Sequence, residues 1–170
     1  MGYLFGNFTS QWFANFYLQD LDHYIKEKLH IKYYLRYMDD MILFCRNKKE
    51  LHKVRIEVDS FLKKEGLKLK DNWQLFKVDS RPLDFLGYRF YRGYTTLRRS
   101  NFLRIKRRVK KIVKRGYIRL TDAQSIISYH GWLLHCNSFN YQNKYIKAYK
   151  ITLKKCKGVI KSNGRSKYKL

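Results

Sequence analysis

Proline occurs once, at Pro82, and cysteine three times, at Cys45, Cys136 and Cys156. An odd number of widely spaced thiols excludes a disulfide framework and points to a reducing compartment, the cytoplasm. His130, His135 and Cys136 lie close together, but no CxxC accompanies them, and their spacing is wrong for structural zinc. No apolar run approaches the roughly 20 residues of a membrane span. The opening Met1-Gly2-Tyr3-Leu4-Phe5 lacks the basic region and apolar core of a secretory signal. Acid is scarce: 13 Asp and Glu stand against 38 Lys and Arg, and after Asp84 the only carboxylate is Asp122.

Apolar residues make up 45% of the 170 and aromatics 17%, so a packed core is expected and wholesale disorder is not. A net charge of +25 exceeds what solubility needs and implies a polyanionic partner. Bases interleaved with Tyr, Phe and Trp suit a nucleic-acid backbone with bases to stack upon. An anionic membrane and a ribosome-like scaffold are the other classes compatible with the charge.

The most chemically pointed stretch is Tyr37-Met38-Asp39-Asp40. The runs Lys32 to Arg36 and Met41 to Cys45 are aromatic and branched, so they read as two strands with these four residues as their turn. Adjacent carboxylates at a hairpin tip repel, and at least one should have a raised pKa unless a cation neutralises them. A hard divalent ion takes carboxylate oxygens together with substrate phosphates. Two such ions, roughly 4 Å apart, clamp the attacking and leaving oxygens of a phosphoryl transfer. The competing reading is a solvated acidic turn.

Gly2, Gly6 and the polar Asn7 to Gln11 form a loop that allows close backbone approach and feeds a helix start, an anion-binding arrangement. Thr9 or Ser10 caps a helix running to about Leu29, with Phe13, Phe16, Tyr17, Leu21, Tyr24 and Ile25 on its core face. Asn47-Lys48-Lys49-Glu50 opens a second helix with Leu51, Val54, Val58, Phe61 and Leu62 buried, and Gly66 ends it. Leu67, Leu69, Leu75 and Val78 suggest short strands around a turn at Asp71-Asn72. Asp84 to Tyr91 reads as a strand, Arg92-Gly93 as a turn and Tyr94 to Leu97 as the returning strand. The order predicts an α+β layer, with helices packed on an antiparallel sheet.

From Arg98 the periodicity turns helical. Phe102, Ile105, Val109, Ile112 and Val113 make the apolar face of a helix stopped by Gly116. Arg104, Arg107, Arg108 and Lys111 belong to its basic remainder. With no acids alternating, these bases are expected on phosphates and not in ion pairs. Thr121-Asp122-Ala123-Gln124 caps a helix to about Cys136. Another helix runs from Tyr141 to about Cys156, and a polar basic tail with frayed ends follows from Lys157.

With these pieces placed, the chain resembles a reverse transcriptase (RNA-directed DNA polymerase) of the bacterial and phage type. Gly6-Asn7-Phe8-Thr9-Ser10-Gln11, followed by Asn15 and Tyr17-Leu18, resembles the motif preceding the catalytic hairpin. Tyr37-Met38-Asp39-Asp40 resembles the YxDD box, and Phe85-Leu86-Gly87-Tyr88 the primer-grip strand. The Ser-Gln ending looks most like the enzymes of diversity-generating retroelements. The helical part, with Gly131-Trp132-Leu133, resembles the thumb.

The resemblance implies RNA-templated DNA synthesis from deoxynucleotide triphosphates, on an RNA template with a DNA primer. Asp39 and Asp40 are the implied catalytic residues and ligands of Mg2+ (or Mn2+). Gly6, Asn7, Ser10, Gln11, Tyr37 and Met38 would shape the nucleotide and template pocket. Phe85, Leu86, Gly87 and Tyr88 would hold the primer, and the helix bases the duplex phosphates. Almost nothing precedes the first block, whereas the family places its fingers, first palm strand and first metal-binding aspartate there. The chain is therefore expected to be the C-terminal part of a polymerase. Residues 1–97 would be the end of the palm, 98–156 the thumb and 157–170 the basic tail. It is expected to be inactive alone and to need the missing segment or an accessory protein. The alternative is a non-catalytic nucleic-acid-binding module derived from such an enzyme. A basic structural protein of a ribonucleoprotein explains the charge but not the three ordered blocks.

Overall fold

The computed structural model describes residues 8–147, 151, 153–162 and 168–169. The fold class is α+β, and the chain divides into two compact units at Ser80/Arg81.

In the first unit, α1 (Phe8–Tyr17) and α2 (Gln19–His23) are separated at Leu18, and a π-helical turn (Tyr24–Lys28) follows. The sequence predicts one unbroken helix with an aromatic core stripe. Instead the buried members are Leu21 and Ile25, while Phe13, Phe16 and Tyr17 are exposed. The helix is interrupted at Leu18, φ −94° and ψ 6°, and the aromatics before it are not covered by another element. Strands β1 (Tyr33–Tyr37) and β2 (Asp40–Phe44) form an antiparallel hairpin. α3 (Lys48–Lys64) starts as expected, with Asn47 Oδ1 accepting from the Glu50 N–H at 2.8 Å. It ends at Gly66, φ +71°, with Leu67 N–H on Leu62 C=O at 2.8 Å and Gly66 N–H on Lys63 C=O at 3.2 Å. That bond pair is a Schellman stop, which needs the left-handed conformation glycine tolerates. Leu21, Ile25, Ile31, Val54, Val58 and Leu62 make the core, with Tyr34, Met41 and Leu43 from the inner face of the hairpin.

No strand forms over 67–80, contrary to the reading of its spaced leucines. Leu67 and Val78 are exposed, and the stretch finds side-chain anchors in place of a ladder. One is Trp73, whose ring lies 4.6 Å from the Arg55 guanidinium.

In the second unit, β3 (Leu83–Phe85), β4 (Tyr88–Phe90) and β5 (Thr95–Leu97) form an antiparallel meander. α4 (Arg99–Arg115) follows and stops at Gly116, φ +78°. α5 (Leu120–Leu134) has its N-cap at Arg119, two residues before the expected cap at Thr121. Asp122, not Thr121, does the capping, accepting from the Arg119 N–H at 3.2 Å. α6 (Phe139–Tyr145) and α7 (Leu153–Lys161) replace the single helix expected from Tyr141 to Cys156. The expected frayed tail is partly structured. α7 lies along α5 and buries Cys156 and Val159, and β7 (Tyr168–Lys169) pairs with β6 (Tyr117–Ile118). The core gathers Leu97, Ile105, Val109, Ile112, Ile118, Ala123, Ile126, Leu133, Ile151, Cys156 and Val159. Among the described residues, no helix is long and apolar enough to cross a membrane.

Candidate functional site

The β1–β2 register pairs Tyr37 with Asp40, so the loop between the strands is only Met38 and Asp39. The sequence pattern alone assigns all four residues to the turn. Tyr37 and Asp40 belong instead to the ladder, which fixes their side chains on one face together with Tyr33, Leu35 and Phe44. That face is open: Tyr33, Leu35, Tyr37 and Phe44 are all exposed. Met38 has φ +54° and Asp39 does not share that sign. A positive φ at the first loop residue suits a right-twisted hairpin but normally calls for glycine. A side chain there costs on the order of 1–3 kcal/mol, and persists where the surroundings over-determine it.

Arg36 reaches this turn from β1. Its Nε donates to Asp22 Oδ1 at 2.8 Å and its Nη2 to Asp22 Oδ2 at 2.6 Å. Its Nη1 donates to the Met38 carbonyl and to Asn15 Oδ1, both at 3.1 Å. Tyr34 Oη adds a 2.7 Å bond to Asp22. Partial burial pushes the Asp22 carboxyl up, but the Arg36 and Tyr34 hydrogen bonds outweigh it and its pKa is lowered. Tyr34, half-buried against that carboxylate, is pushed well above the usual phenol range.

Asp39 has its own cation. Lys70 Nζ lies 2.6 Å from Asp39 Oδ2, with both side chains exposed. The Lys70 hydrogen bond, helped by the Asp39 backbone N–H, holds the Asp39 carboxyl below the usual carboxylate range. At Asp39 the shift runs opposite to the rise expected of at least one of the pair, because a lysine from the 67–80 stretch stabilises its charged form. Asp39 and Asp40 are hard oxygen donors suited to magnesium or manganese. Among the described residues no third Asp, Glu, His or Cys joins them to complete a metal-binding group. The pair fits part of a cation's shell.

Gly6 and Asn7 lie outside the described residues. Ser10 and Gln11 fall in the first turns of α1, and nothing of their side chains is described. Phe85-Leu86-Gly87-Tyr88 is not one strand but a hairpin, with Phe85 paired to Tyr88 across Leu86 (φ +50°) and Gly87 (φ +83°). Two consecutive positive φ values make a primed hairpin turn. A Cβ on Gly87 would stand 2.8 Å from Asn101 Nδ2, and the Gly87 carbonyl accepts from the Arg98 N–H at 2.8 Å. Phe85 is buried, Tyr88 donates to the Trp132 carbonyl at 3.1 Å, and Leu86 is the member exposed at the tip.

The second unit concentrates the positive charge: 24 Lys and Arg against Asp84 and Asp122, net +22, where the first unit has 14 against 11, net +3. Both acids are taken up internally. Asp84 accepts from Arg98 Nε at 2.8 Å, and the fully buried Asp122 holds Arg108 at 3.3 Å together with Arg115. Arg104, Arg107, Lys110, Lys111 and Lys114 form an exposed stripe on α4. Arg108, expected among the phosphate contacts, is committed inward to Asp122 and to Ser125 Oγ at 3.1 Å.

Sequence reasoning missed Arg36, Asp22 and Lys70. Strand parity could have revealed Arg36: it is in phase with Tyr34, on the face that must be buried. A buried arginine needs a carboxylate, and Asp22 flanks buried Leu21. No comparable pattern marks Lys70.

The family model described as Reverse transcriptase (RNA-dependent DNA polymerase) matches residues 2–90, more than half of the chain. No curated protein matches the chain.

Proposed function

The chain belongs to the reverse transcriptase (RNA-dependent DNA polymerase) family, and from that membership we propose that it forms part of an enzyme making DNA on an RNA template. The observation that carries the reading is the carboxylate pair Asp39 and Asp40, at a two-residue hairpin inside the matched residues. The primer's 3′-oxygen forms a bond to the α-phosphorus of a deoxynucleotide triphosphate, and the bond to pyrophosphate breaks. Asp39 and Asp40 would hold magnesium, or manganese, which supplies electrostatic stabilisation of the phosphoryl oxygens when bound. Tyr37, Met38, Ser10 and Gln11, with Gly6 and Asn7, shape the nucleotide and template pocket. Leu86, at the tip of the Phe85–Tyr88 hairpin, meets the primer strand. Arg104, Arg107 and Lys111 hold duplex phosphates as part of a thumb. The Ser10-Gln11 ending favours the type found in diversity-generating retroelements.

Two carboxylates do not complete a two-metal site. We place the remaining ligand on polypeptide outside this sequence, a fingers and first palm segment or an accessory protein, and take the chain as inactive by itself. The same donor count, with Lys70 seated on Asp39, favours a second reading: a nucleic-acid-binding module without catalysis.

Labelled nucleotide incorporation on an RNA template separates the two. The chain alone is expected to bind primer-template and extend it at background rate. Adding a fingers and first palm segment, fused or separate, should restore metal-dependent extension that Asp39→Asn abolishes. Confirmed association without extension would favour the non-catalytic module.

A further inference from the structure

Arg36 has five N–H donors, and all five are placed. Nε and one Nη2 proton fork onto the two oxygens of Asp22, at 2.8 and 2.6 Å. The other Nη2 proton faces the Asn15 carbonyl at 3.4 Å. Nη1 divides between Asn15 Oδ1 and the Met38 carbonyl, at 3.1 Å each. The arginine side chain is only 10% exposed. Exposed ion pairs contribute little because two long side chains must be immobilised for a screened attraction. This one is forked, largely buried and braced again by Tyr34 Oη at 2.7 Å from Asp22. Planarity makes the guanidinium a rigid template: once the fork is seated on Asp22, the direction of Nη1 is set. What Nη1 meets is the carbonyl of the one residue in the hairpin loop with positive φ.

Left to itself, a methionine favours negative φ, and the loop would open to reach it. A bond to its carbonyl from a fixed donor opposes that rotation. Asp39 follows directly and Asp40 is the first residue of β2, so their side-chain directions depend on this one peptide. We propose that Arg36, locked by Asp22, is a positioning residue for the carboxylate pair, holding the Met38 carbonyl and thereby the turn that aims Asp39 and Asp40. The inference rests on the function proposed above only for what the pair then does; the clamp itself is a claim about the metal-free chain. Lysine cannot substitute at position 36, because an ammonium offers no fork and no fixed second direction.

The test is backbone NMR on the metal-free 170-residue chain, with manganese titration as a second arm. Arg36→Lys and the milder Asp22→Asn should move the amide signals of Met38, Asp39 and Asp40 and change the Met38 HN–Hα coupling, while the signals of α3 stay in place. Glycine adopts positive φ without a clamp. Arg36→Lys combined with Met38→Gly should therefore return the Asp39 and Asp40 signals toward their wild-type positions. A merely stabilising ion pair would not be rescued at the tip by a change of turn residue. In the manganese arm, Arg36→Lys should weaken binding roughly 10- to 100-fold, as loss of a residue that orients metal ligands does, and the double variant should recover most of it. Unmoved tip signals in both single variants would overturn the proposal, as would tip signals that Met38→Gly fails to rescue. If wild-type binds no manganese through Asp39, the metal reading fails, and the metal-free signals still decide the clamp.

Discussion

Lys70 Nζ sits 2.6 Å from Asp39 Oδ2, so a lysine 31 residues downstream places a positive charge on the carboxylate that a metal would need. The contact is exposed on both sides and engages one carboxylate of the proposed metal-binding pair. Removing it tests the competition directly. Lys70→Met should strengthen manganese binding to the chain, measured by titration calorimetry. In metal-free protein the Asp39 side-chain carboxyl should then titrate at higher pH, because its largest charge-stabilising partner is gone. Weaker manganese binding in Lys70→Met would mean that the lysine assists the site and does not compete for it.

Asp22 predicts an acid-sensitive first unit. Its folded pKa is lowered below the ordinary value of 3.8 despite partial burial, through Arg36 and Tyr34. A depressed carboxylate contributes stability that is present above its unfolded pKa and lost as pH falls through the folded one. Urea midpoints for the wild type should therefore drop between about pH 5 and pH 2, and Asp22→Asn should flatten that limb while lowering the plateau above it. Parallel acid limbs for the two proteins would remove Asp22 from the account.

Asp122 carries a larger stake. It is 1% exposed and answers two arginines, so Asp122→Ala leaves Arg108 and Arg115 facing each other across a cavity. Breaking a buried pair from one side typically costs about 3–5 kcal/mol, and Arg108 is partly solvated, so about 3 kcal/mol is expected. Denaturant unfolding of the variant measures this; a destabilisation under about 1 kcal/mol would show that the arginines find other partners.

The α4 stripe makes a prediction that separates exposed from inward bases. Arg104, Arg107 and Lys111 changed together to Ala should weaken duplex binding. The slope of log affinity against log salt should fall by about 0.9 for each phosphate that is no longer neutralised. Arg108→Ala should leave that slope nearly intact and instead lower stability, since its guanidinium is engaged by Asp122 and Ser125. Filter binding across a salt series, with melting curves for both variants, checks the contrast. Equal slopes for the triple variant and wild type would remove the stripe from the interface.

Much of this protein was decided along the chain itself. Alternating aromatic and branched residues either side of Met38-Asp39 specify a hairpin, because only a strand presents them on two faces. Asn47 with Glu50 starts α3 and Gly66 stops it, since capping and left-handed geometry are properties of a few neighbouring residues. Charge segregation is likewise local arithmetic. What the chain could not decide are relations between residues far apart in it. Lys70 reaches Asp39, Arg36 is locked by Asp22, Arg108 turns inward to Asp122, and α7 packs its Cys156 and Val159 against a core begun at Leu97. The aromatic stripe of α1 fails for the same reason: helical period states which residues share a face, but only packing states whether another element covers that face. A carboxylate's charge, an arginine's freedom and a tail's order depend on which groups folding brings within a few ångströms, and sequence separation carries no record of that distance.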